Sequence, residues 1–276
     1  MEKKILVTGS DERQKYLAGA LLRLGATVCY TQPDDPGFAA SVGSCEILAI
    51  PVAAKRELTD ILAFHIKGGQ RVYGSVFPKE FARQCEREGI ILVDYMKDDT
   101  VAIQNAVATA EGAIAEAIIA SKINLHRSRC LLVGFGKCAE ILADKLNGLK
   151  CDVCVMARSN TALARASAYG YRVNTFEEAK ECTDGVDFVF NTVPAPVIGR
   201  KILSCLPKHS IVIDIASAPG GVDLAVFSEL GIQADRFPGL PARYAPKTSG
   251  DILAKAILKW ENESFSEKDE KGSLDE

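Results

Sequence analysis

Short apolar runs separated by helix-length amphipathic stretches recur along the chain, and this alternation limits its possible folds more than any other feature. Residues 4–7, 26–30, 46–50, 71–74 and 90–93 read as strands, with helices over 13–24, 58–65 and 79–88. Strands that far apart do not form tight hairpins; they imply crossover connections and parallel pairing. The rhythm restarts later, with strands over 129–133, 152–156, 188–191 and 211–215 and helices over 137–146 and 162–169. Between the halves, Ile103, Val107, Ala110, Ile114 and Ala117 recur at three- and four-residue spacing in an alanine-rich stretch, 101–123, which predicts a long helix able to pack close to other backbones.

The chain has 276 residues, enough for two domains. The expected division is an N-terminal α/β domain over 1–100, a connector over 101–127 and a second α/β domain over 128–247. A C-terminal helix over 248–262, with Leu253, Ile257 and Trp260 on one face, is expected to pack back on the first domain. Residues 261–276 carry seven acids and two lysines. Little there offsets ordering entropy, so 263–276 is expected to be a disordered acidic tail.

Thirty-three Lys and Arg against 36 Asp and Glu leave a net charge of −3, which gives no basic excess for a nucleic-acid backbone. No apolar run is long enough to span a bilayer, because Gln104, Asn105, Glu111 and Glu116 interrupt the longest one. The first residues enter a strand without an apolar leader, so a cytoplasmic protein is expected. Nine cysteines, an odd number without an export signal, read as reduced thiols. Cys151 and Cys154 have C-x-x-C spacing, but in a strand positions i and i+3 face opposite sides, so no metal site is expected.

The strongest motif is Leu131-Leu132-Val133-Gly134-Phe135-Gly136-Lys137-Cys138-Ala139: strand, G-x-G-x-x-A, helix. The first glycine makes the turn, the second admits a diphosphate close to the backbone, and Ala139 lets helix and strand approach. The helix start, with unpaired N–H groups and a positive dipole end, suits the anion. Together these point to two Rossmann-like, doubly wound domains, the second binding a dinucleotide. The next strand ends not in an acid but in Met156-Ala157-Arg158-Ser159-Asn160, and an arginine with a hydroxyl suits a 2′-phosphate. NADP is therefore favoured, with NAD the alternative. Asn191-Thr192-Val193-Pro194 and the run from Asp214 through Ala216 to Asp223 follow later strands, at ends where ligands bind in open α/β sheets.

The first half holds a turn with one glycine, Gly9, in which N–H groups, Ser10 and Arg13 suit a carboxylate, or else a capped helix carries a solvated arginine. Glu111 in the alanine-rich helix reads equally as a site acid and as part of an exposed face. Lys247, just before Thr248 and the last helix, reads as a site lysine or as plain surface.

These motifs, taken with others, resemble the dipicolinate synthase A family of spore-forming bacteria. The resemblance rests on Gly9-Ser10-Asp11-Glu12-Arg13-Gln14, Thr109-Ala110-Glu111-Gly112, Gly134-Phe135-Gly136, Ala157-Arg158-Ser159 and Asn191-Thr192-Val193-Pro194. The most specific segments are Asp214-Ile215-Ala216-Ser217-Ala218-Pro219-Gly220-Gly221-Val222-Asp223, Pro238-Gly239-Leu240-Pro241 and Ala245-Pro246-Lys247-Thr248. Ala242 stands where the family commonly has glycine. The resemblance implies NADP-dependent formation of dipicolinate during sporulation from a cyclic 4-hydroxy-tetrahydrodipicolinate, by loss of water and hydride transfer. It also implies a flavoprotein-like partner, dipicolinate synthase B. A mother-cell cytoplasm and a homo-oligomer go with it.

Such a ring, with two carboxylates, needs cations or N–H donors at both ends and a base for one proton. Arg13, Arg243 and Lys247 are candidate clamps, with Ser10 and Thr248 beside them; Lys247 or Glu111 is the candidate acid/base. Two other functions stand beside this one. A D-2-hydroxyacid-dehydrogenase-like oxidoreductase is disfavoured, because Ala218 and Pro219 follow the fifth strand where those enzymes carry arginine, and no histidine follows His209. A nucleotide-binding scaffold protein without chemistry of its own is the other.

Overall fold

The computed structural model describes residues 3–272. They form two compact units, one of the residues up to Asn105 with those from Ala245 on, the other of Ala106–Tyr244. The first contains β1 (Lys4–Val7), α1 (Glu12–Arg23), β2 (Thr27–Tyr30), α2 (Phe38–Ser44), β3 (Ile47–Ala49), α3 (Arg56–Ala63), β4 (Arg71–Gly74), α4 (Lys79–Arg87) and β5 (Ile91–Asp94). Helix α5 (Asp99–Ala120) carries the chain onward. The second unit continues with β6 (Arg129–Val133), α6 (Lys137–Gly148), β7 (Asp152–Met156), α7 (Asn160–Ala168), β8 (Arg172–Asn174), α8 (Ala179–Thr183), β9 (Phe188–Asn191), α9 (Arg200–Leu203), β10 (Ile211–Asp214), α10 (Leu224–Leu230), β11 (Gln233–Arg236) and α11 (Leu240–Tyr244). Helix α12 (Pro246–Gly272) returns to the first unit.

Every strand pair in both sheets is parallel, as the alternation demands. The first sheet runs β2-β1-β3-β4-β5 and the second β11-β10-β9-β6-β7-β8. In each, the chain builds outward, then returns to the other side of its first strand. Ligands bind at the carboxyl ends beside that reversal, between β1 and β3 or between β6 and β9.

Side-chain alternation sorts the first core into two layers. Ile5 and Val7 join Leu17, Leu21, Tyr73, Leu253 and Ile257, whereas Leu6, Leu48 and Val72 join Phe38, Leu62 and Phe81. Helix α12 completes the first layer by crossing α1 at Gly250, where a Cβ would stand 2.8 Å from the Leu17 backbone nitrogen. Its end is tied down by Glu261, which is buried and accepts from Lys3 Nζ at 2.8 Å, Arg71 Nε at 2.7 Å and the Tyr73 hydroxyl at 2.5 Å. Burial, and then the Glu261 carboxylate, hold the Tyr73 phenol far above its ordinary pKa. Helix α12 continues to Gly272, through most of the acidic segment for which composition predicts no fixed structure, an extension that helix-forming Glu and Lys permit. Residues 273–276 of that segment lie outside the described ones.

In α5, Val101 belongs to the first core, and Ala110, Ala113 and Ala117 are fully buried in the second. Small residues matter there: a Cβ on Gly112 would lie 2.8 Å from the Tyr244 ring and 2.9 Å from Leu240 Cβ of α11. Cys151 packs with Cys130 in one layer of the second unit and Cys154 with Cys182 in the other, so the C-x-x-C pair is split across the sheet. Among the described residues no cluster of three or more His, Cys, Asp or Glu is placed to hold a metal, and no helix is long and apolar enough to cross a membrane.

Candidate functional site

The reversal between β6 and β9 is where the glycine turn lies. Gly134 follows β6 at φ +93, the left-handed region that favours glycine. A Cβ there would stand 2.6 Å from Thr192 Oγ1 and 2.8 Å from Val193 Cγ2, so the loops after β6 and β9 touch only because residue 134 lacks a side chain. Thr192 secures the contact, its hydroxyl donating to the Val133 carbonyl at 2.9 Å.

Phe135 turns inward. Its side chain is buried against Tyr169 and Tyr171, and its carbonyl accepts from Arg165 at 3.0 Å, so of the three turn residues it serves the core. Gly136 is the N-cap of α6, extended, with no side-chain cap on the first turn, and a Cβ built on it meets nothing within 4 Å. The fully buried Ala139 lets α6 approach the sheet. An uncapped helix start faced by an open glycine is a donor set that fits a diphosphate. Exposed Lys137 and half-buried Cys138 share that first turn; burial pushes the Cys138 thiol up to about 12, which keeps it a neutral packing group.

At the end of β7 the two candidate 2′-phosphate groups differ. Ser159 is already the N-cap of α7, its hydroxyl accepting from Ala162 at 3.4 Å. Arg158 is exposed and makes no hydrogen bond or ion pair with a described residue. The guanidinium is the group left available to a ligand.

Asn191 and Asp214 form a buried brace across β9 and β10. Asn191 Nδ2 donates to Asp214 Oδ1 at 2.7 Å and to the Val193 carbonyl at 3.1 Å, and Val193 N–H donates to Asn191 Oδ1 at 3.2 Å. Asp214 also accepts from Ala216 N–H at 3.1 Å and Gly221 N–H at 3.0 Å. Both polar side chains are thus spent on loop shape: they set Val193, Pro194 and Ala216 at the carboxyl edge. The second unit contributes one residue that the sequence reading missed, Arg236 at the end of β11, whose Nε lies 3.6 Å from Asp214 Oδ2.

The remaining candidates are divided between the units. In the first, the N-cap of α1 is Asp11, not Ser10, accepting from Arg13 N–H at 3.0 Å. Arg13 is buried, and its guanidinium grips the same Asp11 carboxylate in a two-pronged contact. The solvated-arginine reading therefore fails, and Asp11 is the partner that reading lacked. Ser10 is exposed beside it. Gln14 closes the strand ends by donating to the Thr8 and Ala49 carbonyls, each at 2.8 Å. Lys247 and Thr248 are exposed at the start of α12, with Lys247 paired to Asp251 one turn on at 2.9 Å.

In the second unit, Glu111 faces solvent and pairs with Lys145 at 2.8 Å, which is the exposed-face alternative. The buried acid of α5 is Glu116, paired with the more exposed Arg243. Arg243 also lies over the Tyr244 ring at 5.3 Å, and burial, then Glu116, raise the Tyr244 hydroxyl pKa.

Residues 129–218, which contain this glycine turn, match the family described as NADP oxidoreductase, coenzyme F420-dependent. The dipicolinate synthase A protein of Bacillus subtilis (strain 168) is 30% identical over 287 residues, covering 93% of this chain and 95% of its own. The crystal structure of dipicolinate synthase A from Bacillus halodurans superposes with a TM-score of 0.84 at 27% identity, over 94% of this chain and 98% of that one. D-lactate dehydrogenase from Escherichia coli shares the fold, with a TM-score of 0.65 at 12% identity over 95% of this chain and 97% of that one. An open glycine turn at the reversal of a dehydrogenase-type sheet and a relative aligned nearly end to end lead to one conclusion. This is an oxidoreductase with a dehydrogenase-type nucleotide-binding unit, and the chain belongs to the dipicolinate synthase A family.

Proposed function

We propose that the chain oxidises a cyclic 4-hydroxy-tetrahydrodipicolinate to dipicolinate with NADP, acting with a dipicolinate synthase B protein, and that it does so in a sporulating cell. The observation that carries this reading is the near full-length alignment with a dipicolinate synthase A protein. The ring loses its hydroxyl and a neighbouring hydrogen as one water; removal of a further hydride and a proton then leaves the aromatic dicarboxylate. When bound, an oxidised nicotinamide dinucleotide supplies the two-electron acceptor.

The residues divide the remaining work. Gly134, Gly136 and the first turn at Lys137 and Cys138 hold the diphosphate, and Arg158 beside Ser159 holds a 2′-phosphate. The loops at 191–194 and 214–216 shape the wall beyond. Arg13 and Arg243, with Ser10 and Thr248, draw carboxylates; each arginine is already paired with a carboxylate of the chain, so a substrate carboxylate shares an existing charge pair. Lys247 is the proton-transfer group: its surface pair with Asp251 contributes only about 0–1 kcal/mol and yields readily to a ligand.

The test is dipicolinate formation by the purified chain, alone and with dipicolinate synthase B. Product is expected with NADP at least about tenfold faster than with NAD, and Arg158→Ala is expected to erase that preference, as loss of a charged hydrogen bond predicts. NADPH binding without product in either mixture would leave the scaffold reading standing in its place.

A further inference from the structure

Arg236 is a guanidinium at the carboxyl edge of the second sheet that neither the glycine turn nor the 2′-phosphate position uses. It ends β11, in register with Asp214 of β10. Its Nε is buried without a hydrogen-bond partner, while the side chain as a whole is 32% exposed, so solvent reaches its other atoms. Asp214 balances the charge without taking the donors. Its oxygens already accept from Asn191, Ala216 and Gly221, and Nε stays 3.6 Å away, beyond a hydrogen bond.

The loop is built around this side chain. Gly220 sits at φ +86, and a Cβ there would fall 2.5 Å from Arg236 Nε and 2.6 Å from both Cζ and Nη2, so the guanidinium lies flat on a glycine. No residue from Ile215 to Gly221 is cationic. A planar fork held over a bare turn, charged and with its donors unspent, fits a carboxylate.

We propose that Arg236 binds one carboxylate of the ring substrate and thereby selects dicarboxylate over monocarboxylate rings. This rests on the dicarboxylate reading given above. The backbone of β11 lies three strand spacings from β6, about 14 Å along the sheet, and the NADPH measurement below separates a contact with the dinucleotide from one with the ring.

The experiment titrates pyridine-2,6-dicarboxylate and pyridine-2-carboxylate into the full chain loaded with NADP, for wild type, Arg236→Gln and Arg236→Lys, with NADPH affinity measured alongside. Wild type is expected to prefer the dicarboxylate by about tenfold or more. Arg236→Gln is expected to lose most of that preference with NADPH affinity within about twofold of wild type, and Arg236→Lys, a point charge without the fork, to fall between. A preference retained by Arg236→Gln overturns the assignment. So does a parallel loss of NADPH affinity, since Arg236 would then only hold the loop. A wild type that takes both rings alike overturns the dicarboxylate reading itself, a result distinct from either.

Discussion

Gly136→Asp is expected to lower NADPH affinity by about 100-fold, roughly 2.7 kcal/mol, while leaving the fold intact or slightly more stable. The two effects have opposite sign because position 136 does two things. As the N-cap of α6 it is extended and lacks a side-chain cap, and aspartate is a preferred N-cap, better than glycine by a few tenths of a kcal/mol. The new side chain meets nothing within 4 Å of its Cβ, so the protein accommodates it. Its carboxylate, however, takes the first-turn N–H groups and sets a negative charge where a diphosphate must sit. Nicotinamide fluorescence reports the first effect and a urea melt the second. Gly134 offers no such separation, because any side chain there collides with Thr192 and Val193. Affinity unchanged in Gly136→Asp would place the dinucleotide elsewhere.

Asp214→Ala is expected to destabilise the second unit by about 3–5 kcal/mol, because three buried donors lose a charged acceptor at once. The side chain is fully buried and its loss strands several groups together: Asn191 Nδ2 loses its shorter bond, the Ala216 and Gly221 N–H groups lose their acceptor, and Arg236 loses its balancing charge. For a unit of this size the melting temperature should fall by about 10 °C or more. Thermal unfolding followed by circular dichroism measures it. A loss below about 1 kcal/mol would show that the brace between β9 and β10 does not hold the loops.

What could be read in advance follows from physical locality. Strands β1, β3, β6, β9 and β10 are buried on both faces and therefore carry continuous apolar runs such as Cys130-Leu131-Leu132-Val133, which stand out without knowledge of their neighbours. Strands β8 and β11 lie at the sheet's edges and read Arg-Val-Asn and Gln-Ala-Asp-Arg; pairing alone makes them strands, so nothing local marks them. Arg236 was invisible for that reason, since its partner Asp214 lies 22 positions earlier and is found only through the register. Helices α8, α9 and α11 are too short for a periodic signal. The glycine turn was legible because its chemistry depends on backbone shape over a few adjacent residues. The pairing of Arg13 lies only two residues away at Asp11, but sequence does not say whether an arginine beside a capping acid turns back onto it or outward.

A crystal structure of the chain grown with NADPH decides where the dinucleotide sits. The diphosphate is expected on the backbone N–H groups that open α6, over Gly136, with Arg158 on the 2′-phosphate. Density for the dinucleotide away from that helix start, or a turn filled by the chain's own side chains at saturating NADPH, would contradict it.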